Sequence, residues 1–461
     1  MSRLVVVSNR VARPDSINKG NQGGLAVGVL AAMAESGGLW FGWNGRIENR
    51  AINEVRQDKK GNIDFITIGL RKNEYDNFYR GYSNSVLWPL LHQRPDLMNY
   101  HNHYRLGYLG VNKKYVDHLL PFLYPDDTIW IHDYQLIPMA KLLREAGVES
   151  PIGFFLHTPF PPLDSLRALP GHKELLHELL HYDLVGFHTL MDQRDFLEAI
   201  RYSLHGKITR SNLVICQGHQ LLTGVYPIGI ETDEVPQKVK RGIRSKEYQQ
   251  LKSELGLRKL IIGVDRLDYS KGLFHRFQSY EQLLKTHQEF HRKTVYMQIA
   301  PKSRSDVKAY GQLAQQVEQT VGHINGTYAD FDWTPLRYLN QGFRRNTIFA
   351  LYNLAHIGFV TPLRDGMNLV AKEFIAAQDP NNPGVLVLSK MAGASAELDA
   401  AVIVNPYDTE SVAHQLAMAL NMPLEERQHR WNKLITTIKH NNIHHWQKSF
   451  RADLIAHVHP I

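Results

Sequence analysis

Leu260-Ile261-Ile262-Gly263-Val264-Asp265-Arg266-Leu267-Asp268-Tyr269-Ser270-Lys271-Gly272 is five apolar residues followed by a run of charge. An amphipathic segment, 274–287, comes next. A short Val/Ile-rich run of this kind predicts a strand buried in a parallel sheet, and the segment after it predicts the covering helix. The same unit recurs along the chain. Apolar runs at 4–8, 39–43, 65–69, 128–132, 152–157, 184–187 and 225–228 are followed by another set at 260–264, 295–300, 357–361, 385–388 and 402–404. Amphipathic segments at 135–146, 173–181, 274–287, 306–321 and 410–420 lie between them. Strands alternating with helices predict an α/β fold.

The chain has 461 residues, too many for a single core of about 250–300 residues. Residues 231–257 are polar, rich in Lys and Glu, and carry no strand pattern. The division is expected there, with domains at 1–235 and 236–440. Each has the size of a doubly wound, Rossmann-like domain, and the two are expected to face a cleft. Residues 423–457 are helical in pattern and carry Trp431 and Trp446. They are expected to dock across both halves, with 441–461 a helix crossing back to the first domain.

Composition narrows the function. The apolar fraction is 43% and the charged fraction 21%, as in an ordinary globular protein. Lys plus Arg number 53 against 45 Asp plus Glu, a net charge of +8, with 24 His in addition. That excess suits anionic small molecules, and there is no Lys/Arg run of the kind that binds nucleic acid. The one cysteine, Cys216, excludes an internal disulfide and a Cys-based zinc site. The apolar start is too short for a signal peptide and no apolar run is long enough to span a membrane. A cytoplasmic location is the expectation.

In doubly wound sheets, ligands bind beyond the carboxyl ends of the strands. Here those ends read Ser8-Asn9-Arg10, His132-Asp133, His157-Thr158-Pro159, Asp265-Arg266 and Arg364-Asp365-Gly366. Arg266 and Lys271 are placed to clamp a diphosphate, one as a fork and the other as a point charge. Alternatively they belong to a surface ion-pair network with Asp268. In Arg364-Asp365-Gly366-Met367-Asn368-Leu369-Val370-Ala371-Lys372-Glu373, a helix is expected from Asn368, with N–H groups open to a phosphate. Asp365 and Glu373 suit sugar or ribose hydroxyls, although Asp365 also reads as a plain helix cap. Gly23-Gly24 before an apolar helical pattern permits close approach to an anion, or is an ordinary turn. Two motifs are expected to be false. His177-Glu178-Leu179-Leu180-His181 has zinc-protease spacing but lacks a third ligand in convincing context. Asp330-Phe331-Asp332-Trp333-Thr334 looks like a phosphatase aspartate loop but follows no strand.

Taken in order, several stretches carry a resemblance. They are Val5-Val6-Val7-Ser8-Asn9-Arg10, Gly23-Gly24-Leu25-Ala26, Trp40-Phe41-Gly42-Trp43, Asn84-Ser85-Val86-Leu87-Trp88-Pro89, Trp130-Ile131-His132-Asp133-Tyr134, Gly153-Phe154-Phe155-Leu156-His157, Tyr226-Pro227-Ile228-Gly229-Ile230 and the two clamp segments above. With them the chain resembles, as far as about Trp446, the bacterial trehalose-6-phosphate synthases, which are UDP-forming retaining glucosyltransferases of the two-domain GT-B type. The resemblance implies transfer of glucose from UDP-glucose to glucose 6-phosphate, giving α,α-trehalose 6-phosphate and UDP. It implies that 1–235 takes the acceptor and 236–440 the nucleotide sugar. Arg266 and Lys271 would hold the diphosphate, Leu369 and Val370 would meet the UDP through their backbone, and Glu373 would bind the ribose. Phe343 would lie beside the base. Asp365 and His157 would contact the donor glucose, and Gly23 and Gly24 would belong to a loop closing over it. The remaining donor-binding positions would be Gly366, Met367, Asn368, Ala371 and Lys372.

For the acceptor, Arg10 and Arg304 match phosphate ligands, Tyr79 and Trp88 lie beside them, and Asp133 matches the carboxylate near the attacking hydroxyl. Asp133, His157, Arg266, Lys271 and Asp365 are the expected catalytic set, and Thr158 the expected selectivity position. No metal and no other cofactor is expected, because Arg, Lys and helix N-termini meet the diphosphate. The resemblance further implies a homodimer or homotetramer, a role in osmoprotection, and a separate phosphatase acting on the product. ADP- or GDP-glucose, another acceptor, or a non-catalytic sugar-phosphate sensor remain as alternatives.

Overall fold

The structure is a computed structural model describing residues 2–11, 29–30, 33, 37–48, 55–302 and 308–458. The chain divides into two compact units. Unit 1 runs to Ile228 and takes back the chain from Ile443 onward, and unit 2 runs from Gly229 to Asn442. The changeovers therefore fall a few residues away from the expected 235/236 and 440/441.

The strands of unit 1 are β1 (Leu4–Arg10), β2 (Gly38–Glu48), β3 (Arg56–Lys60), β4 (Ile63–Arg71), β5 (Thr128–His132), β6 (Ile152–Phe155), β7 (Leu184–Phe187), β8 (Lys207–Ile208), β9 (Leu213–Cys216) and β10 (His219–Val225). They form one sheet in the order β3-β4-β2-β1-β5-β6-β7-β10-β9-β8. The strands from β4 to β10 run parallel, while β3 and β9 are antiparallel to their inner neighbours. β1 and β5 are buried along almost their whole length because helices cover both faces of a parallel sheet. Strand order reverses direction between β1 and β5, so the carboxyl ends of those two strands form the switch point.

The last helix, Ile443–Val458, packs within unit 1. Its Phe450 is fully buried and stacks on Trp130 with ring centroids 4.7 Å apart. Gly153 on β6 and Gly186 on β7 make room for it: a Cβ at either would come within 2.8 Å of the Phe450 ring. Residues 423–457 are thus two helices, Leu424–His440 and Ile443–Val458. They do not dock as one. Trp431 donates its Nε1–H to the Ile375 carbonyl inside unit 2, whereas Trp446 is buried inside unit 1.

Unit 2 has six strands, β11 (Lys259–Val264), β12 (Thr294–Ile299), β13 (Leu336–Leu339), β14 (Ile357–Val360), β15 (Val385–Ser389) and β16 (Val402–Val404). Their order is β13-β12-β11-β14-β15-β16 and every pair is parallel. That is the doubly wound order, with its switch point between β11 and β14. The α/β class and the two parallel-sheet domains follow the expectation. The polar segment after Glu231 is two helices, Val235–Gly242 and Lys246–Leu255.

Candidate active site

The clamp segment of unit 2 is built at that switch point. After β11, Asp268 is fully buried, so it is no member of a surface ion-pair network. Its Oδ1 accepts from the Ser270 backbone and hydroxyl at 3.0 Å each, and its Oδ2 from the Tyr310 hydroxyl at 3.0 Å. These bonds shape the loop that presents Arg266 and Lys271. The Ser270 carbonyl then accepts from Leu363 N–H at 2.8 Å, tying this loop to the one after β14. Gly272 makes the approach possible: its φ is +67°, and a Cβ there would lie 2.7 Å from the Thr361 carbonyl. Arg266 is exposed, and Lys271 forms an ion pair with Asp365. Asn368 also donates to Asp365 Oδ2, at 3.0 Å.

Asn368 has φ +72°, a conformation Asn tolerates better than most residues, and starts the helix Leu369–Ala376. The Leu369 and Val370 N–H groups at the start of that helix have no intrahelical carbonyl, which favours an anion there. Glu373, on the same helix, accepts from Arg345 at 2.7 Å. Burial pushes the Glu373 carboxyl up, and the Arg345 charge opposes that. Phe343 is part-buried in the loop before the helix Arg345–Leu354. Lys372 departs from the rest of its segment. Its side chain is fully buried in an ion pair with Glu397, so it serves the fold of unit 2.

A second arginine, invisible in the sequence reading, braces this switch point. Arg276 is 1% exposed. It donates to Asp265 Oδ2 at 2.5 Å, Gln298 Oε1 at 3.0 Å, Thr361 Oγ1 at 3.0 Å and the Lys271 carbonyl at 3.1 Å. One side chain thereby links the ends of β11, β12 and β14 with the clamp loop.

In unit 1, β5 ends at His132 and β6 leads into His157, while Asp133 follows β5 directly. Asp133 has φ +75° and ψ 165°, strained for a residue with a Cβ, and such strain gathers at functional sites. Its Oδ1 accepts from the His157 backbone N–H at 3.2 Å. His132 Nδ1 lies 3.1 Å from His157 Nε2. Burial lowers the pKa of both rings well below the ordinary imidazole range, and a neighbouring imidazole adds to this in each case. Trp446 packs against both rings. The Thr158 hydroxyl is buried with no hydrogen-bond partner among the described residues.

Arg10 ends β1 exposed, with its guanidinium 6.0 Å from the Trp43 ring. Trp43 in turn lies 5.9 Å from Tyr79. Tyr79 and Trp88 belong to one helical run whose middle, Tyr75–Leu87, is wound as a π-helix, a rare form associated with functional sites. Trp88 packs on Tyr134, the neighbour of Asp133, with centroids 5.8 Å apart. The structure so joins Arg10 with Tyr79, and Trp88 with the Asp133 turn. Gly23, Gly24 and Arg304 lie outside the described residues.

Both motifs expected to be false are accounted for structurally. Glu178 is buried against Arg105, and His181 Nδ1 bonds the His177 carbonyl at 3.0 Å. Among the described residues, no group of His, Cys, Asp and Glu could hold a metal ion. Asp330 and Trp333 close a tight turn after the helix Lys308–Tyr328, and Asp332 pairs with Arg258 at 2.9 Å. No helix among the described residues is long and apolar enough to cross a membrane.

Comparison with known proteins gives the family. The family profile of Glycosyltransferase family 20 matches residues 2–456. A curated trehalose-6-phosphate synthase of Klebsiella pneumoniae is 49% identical over 460 residues, covering 100% of this chain and 96% of its own. An α,α-trehalose-phosphate synthase (UDP-forming) from Burkholderia xenovorans, solved in complex with glucose-6-phosphate, is 46% identical with a TM-score of 0.95, covering 98% of this chain and 100% of its own. An E. coli structure bound with UDP-2-fluoro glucose is 48% identical with a TM-score of 0.94, covering 98% and 99%. The chain belongs to glycosyltransferase family 20.

Proposed function

From that membership we propose that the chain transfers glucose from UDP-glucose to glucose 6-phosphate, giving α,α-trehalose 6-phosphate and UDP. The observation that carries the reading is the meeting of Lys271 and Asp365 at the switch point of unit 2, with Arg266 exposed on the same loop, in a chain alike over its full length to proteins of that name. Unit 2 takes the donor and unit 1 the acceptor. Arg266 and Lys271 stabilise charge growing on the departing diphosphate. Lys271 reaches it by exchanging its carboxylate partner for phosphate, which frees Asp365 for the glucose hydroxyls. Glu373, steadied by Arg345, accepts from the ribose.

The reaction keeps the anomeric configuration. The acceptor hydroxyl attacks the anomeric carbon from the face the diphosphate leaves. The glycosidic C–O bond to the diphosphate breaks, UDP departs, and a diphosphate oxygen takes the hydroxyl proton. No enzyme nucleophile is needed, and Asp133 orients the acceptor. Arg10 and Arg304 hold the acceptor phosphate, with Tyr79 and Trp88 as its aromatic floor. The chemistry needs no metal because the cationic side chains carry the charge. The enzyme works in the cytoplasm as a dimer or tetramer in osmoprotection, and a separate phosphatase removes the phosphate from its product.

UDP release from the purified protein, with and without glucose 6-phosphate and in EDTA, tests this. The expected result is acceptor-dependent release with a phosphorylated non-reducing disaccharide as product. Release only with ADP- or GDP-glucose would overturn the donor assignment. Silence with all three donors would favour a non-catalytic sugar-phosphate sensor.

A further inference from the structure

His132 has no role in the reaction just described, yet it is fully buried and hydrogen-bonded to His157, which by the family resemblance contacts the donor glucose. When two neutral imidazoles share a hydrogen bond, one proton lies in the bridge. If His157 Nε2–H donated, His132 would carry its own proton on Nε2. That nitrogen is buried and has no hydrogen-bond partner among the described residues. A buried N–H left without an acceptor is rare and costly. The surroundings sharpen the choice. The rings of Trp130 and Trp446 adjoin His132, with centroids 4.6 and 6.1 Å away. Both indole N–H groups are themselves buried without an acceptor among the described residues. A third N–H there would add another unmet donor to the same apolar cluster, whereas a lone pair on His132 Nε2 adds none.

The proton therefore belongs on His132 Nδ1, donated to His157 Nε2. His157, neutral, must then carry its proton on Nδ1. That is the opposite of the form free histidine prefers in water. We infer that His132 is a positioning residue that fixes His157 as the Nδ1–H tautomer, so that the part-buried His157 ring offers its ligand a hydrogen-bond donor and not an acceptor. Nδ1 of His157 has no hydrogen-bond partner among the described residues, so it is available for that purpose. The inference rests on the reading that His157 contacts the donor glucose, where the complementary group is a hydroxyl oxygen lone pair. His188, edge-on to His157, supplies an internal contrast. Its Nδ1 accepts from the Ile228 N–H at 3.4 Å, so its proton lies on Nε2.

Long-range proton–nitrogen NMR of the full chain, labelled with nitrogen-15 at histidine, reads the tautomers directly. Loss of single resonances in His132→Phe, His157→Asn and His188→Asn assigns them. The expected spectrum near neutral pH has Nδ1–H on His132 and His157 and Nε2–H on His188. His132→Phe keeps a ring but no donor and should turn His157 to Nε2–H. His132→Asn places an amide N–H where Nδ1 was and should leave His157 unchanged. For turnover, His132→Phe should lower kcat about 10–100-fold with the KM for glucose 6-phosphate unmoved, and His132→Asn should stay within about threefold of the parent. Nε2–H on His157 in the unsubstituted chain would overturn the inference, as would equal loss in the two variants when both are folded. The spectrum stands whether or not UDP-glucose proves to be the donor, so failure of the functional reading and failure of this one are told apart. It also decides the matter if either variant fails to fold.

Discussion

The two switch points solve the same positioning problem with opposite chemistry. In unit 2 the residues at the strand ends and in the helices beside them are charged and already paired: Lys271 with Asp365, Arg276 with Asp265, Arg345 with Glu373. In unit 1 the strand ends carry two neutral imidazoles, held so by burial beneath Trp130 and Trp446. A diphosphate brings negative charge, so a wall of exchangeable ion pairs can receive it without stranding a cation in the empty state. A sugar brings only hydroxyls, and a neutral wall with fixed tautomers orients them without attracting counter-ions. The unlike ligands expected for the two units follow from that difference. The charged exceptions inside unit 1 are Asp133, directly after β5, where the attacking hydroxyl is expected, and Arg10, exposed at the end of β1, where a phosphate group is expected.

The ionic frame of unit 2 breaks most severely at Arg276. Arg276→Met strands Asp265 as a buried carboxylate, and removing one partner of such a pair costs about 3–5 kcal/mol. Urea unfolding of the full chain should show that loss in the transition of unit 2. Replacing both partners, Arg276→Met with Asp265→Leu, should recover part of it. A single-variant loss below ~1 kcal/mol would mean the pair is no frame at all, since breaking a buried pair should cost several times that.

Arg266 sharpens the comparison from the other side, because it is exposed on the clamp loop. Arg266→Ala should leave thermal unfolding almost unchanged while lowering kcat about 10²–10³-fold, the usual loss for one donor to a charge that develops in the transition state. Stability and activity thus separate at two arginines ten residues apart, one inside the frame and one on it. Equal turnover in Arg266→Ala and parent protein would remove the clamp from the mechanism.

These contrasts also mark what was legible in the sequence. The central strands announced themselves as apolar runs, and the charged residues after them stood out because charge beside a buried strand needs a partner or a ligand. β3 did not, since Arg56-Gln57-Asp58-Lys59-Lys60 is wholly exposed and has no apolar pattern. β13 is an edge strand of four residues with only Leu336 buried. β10 occupies 219–225 where the run at 225–228 was expected, because only Leu221 and Thr223 of it are buried and it has no continuous apolar run. The helix Asn102–Leu119 was missed because Tyr108, Asn112 and Tyr115 supply much of its buried face. At the site, Asp265 and Asp133 could be seen from their places in the chain. Arg276 could not, because a lone arginine within an amphipathic helix looks solvated, and its partners Gln298 and Thr361 are remote in sequence. His132 was visible as a strand end, but its bond to His157 depends on the register that sets His132 opposite Phe155.

The smallest effect is the most direct probe of the neutral wall. Unfolded histidine titrates near 6.5, whereas burial lowers His132 and His157 well below that. Between the folded and unfolded values the unfolded chain binds more protons, so stability rises with pH across that window. The contribution is present in full above about 6.5 and is lost as pH falls, at about 1.4 kcal/mol per pH unit for each imidazole. Unit 2 has a counterpart in His356, lowered to about 4 by burial first and then by the charges of Lys259 and Arg427. Carboxyls raised by burial, Glu178 and Asp183 in unit 1 and Glu373 in unit 2, act with the opposite sign. Between their unfolded and folded values they bind more protons in the native state, and their contribution fades as pH rises through their folded values. The informative quantity is therefore a difference between two stability curves, not the slope of one. Subtracting the urea-derived stability of His132→Phe from that of the parent, at steps from about pH 7 down to 5, cancels the carboxyls and leaves the imidazole. That difference should shrink by about 1.4 kcal/mol per pH unit below 6.5, and His356→Phe should give the same sign through the transition of unit 2. Parallel curves for His132→Phe and parent would mean that His132 takes up its proton as readily folded as unfolded, and the wall of unit 1 would then be as charged as that of unit 2.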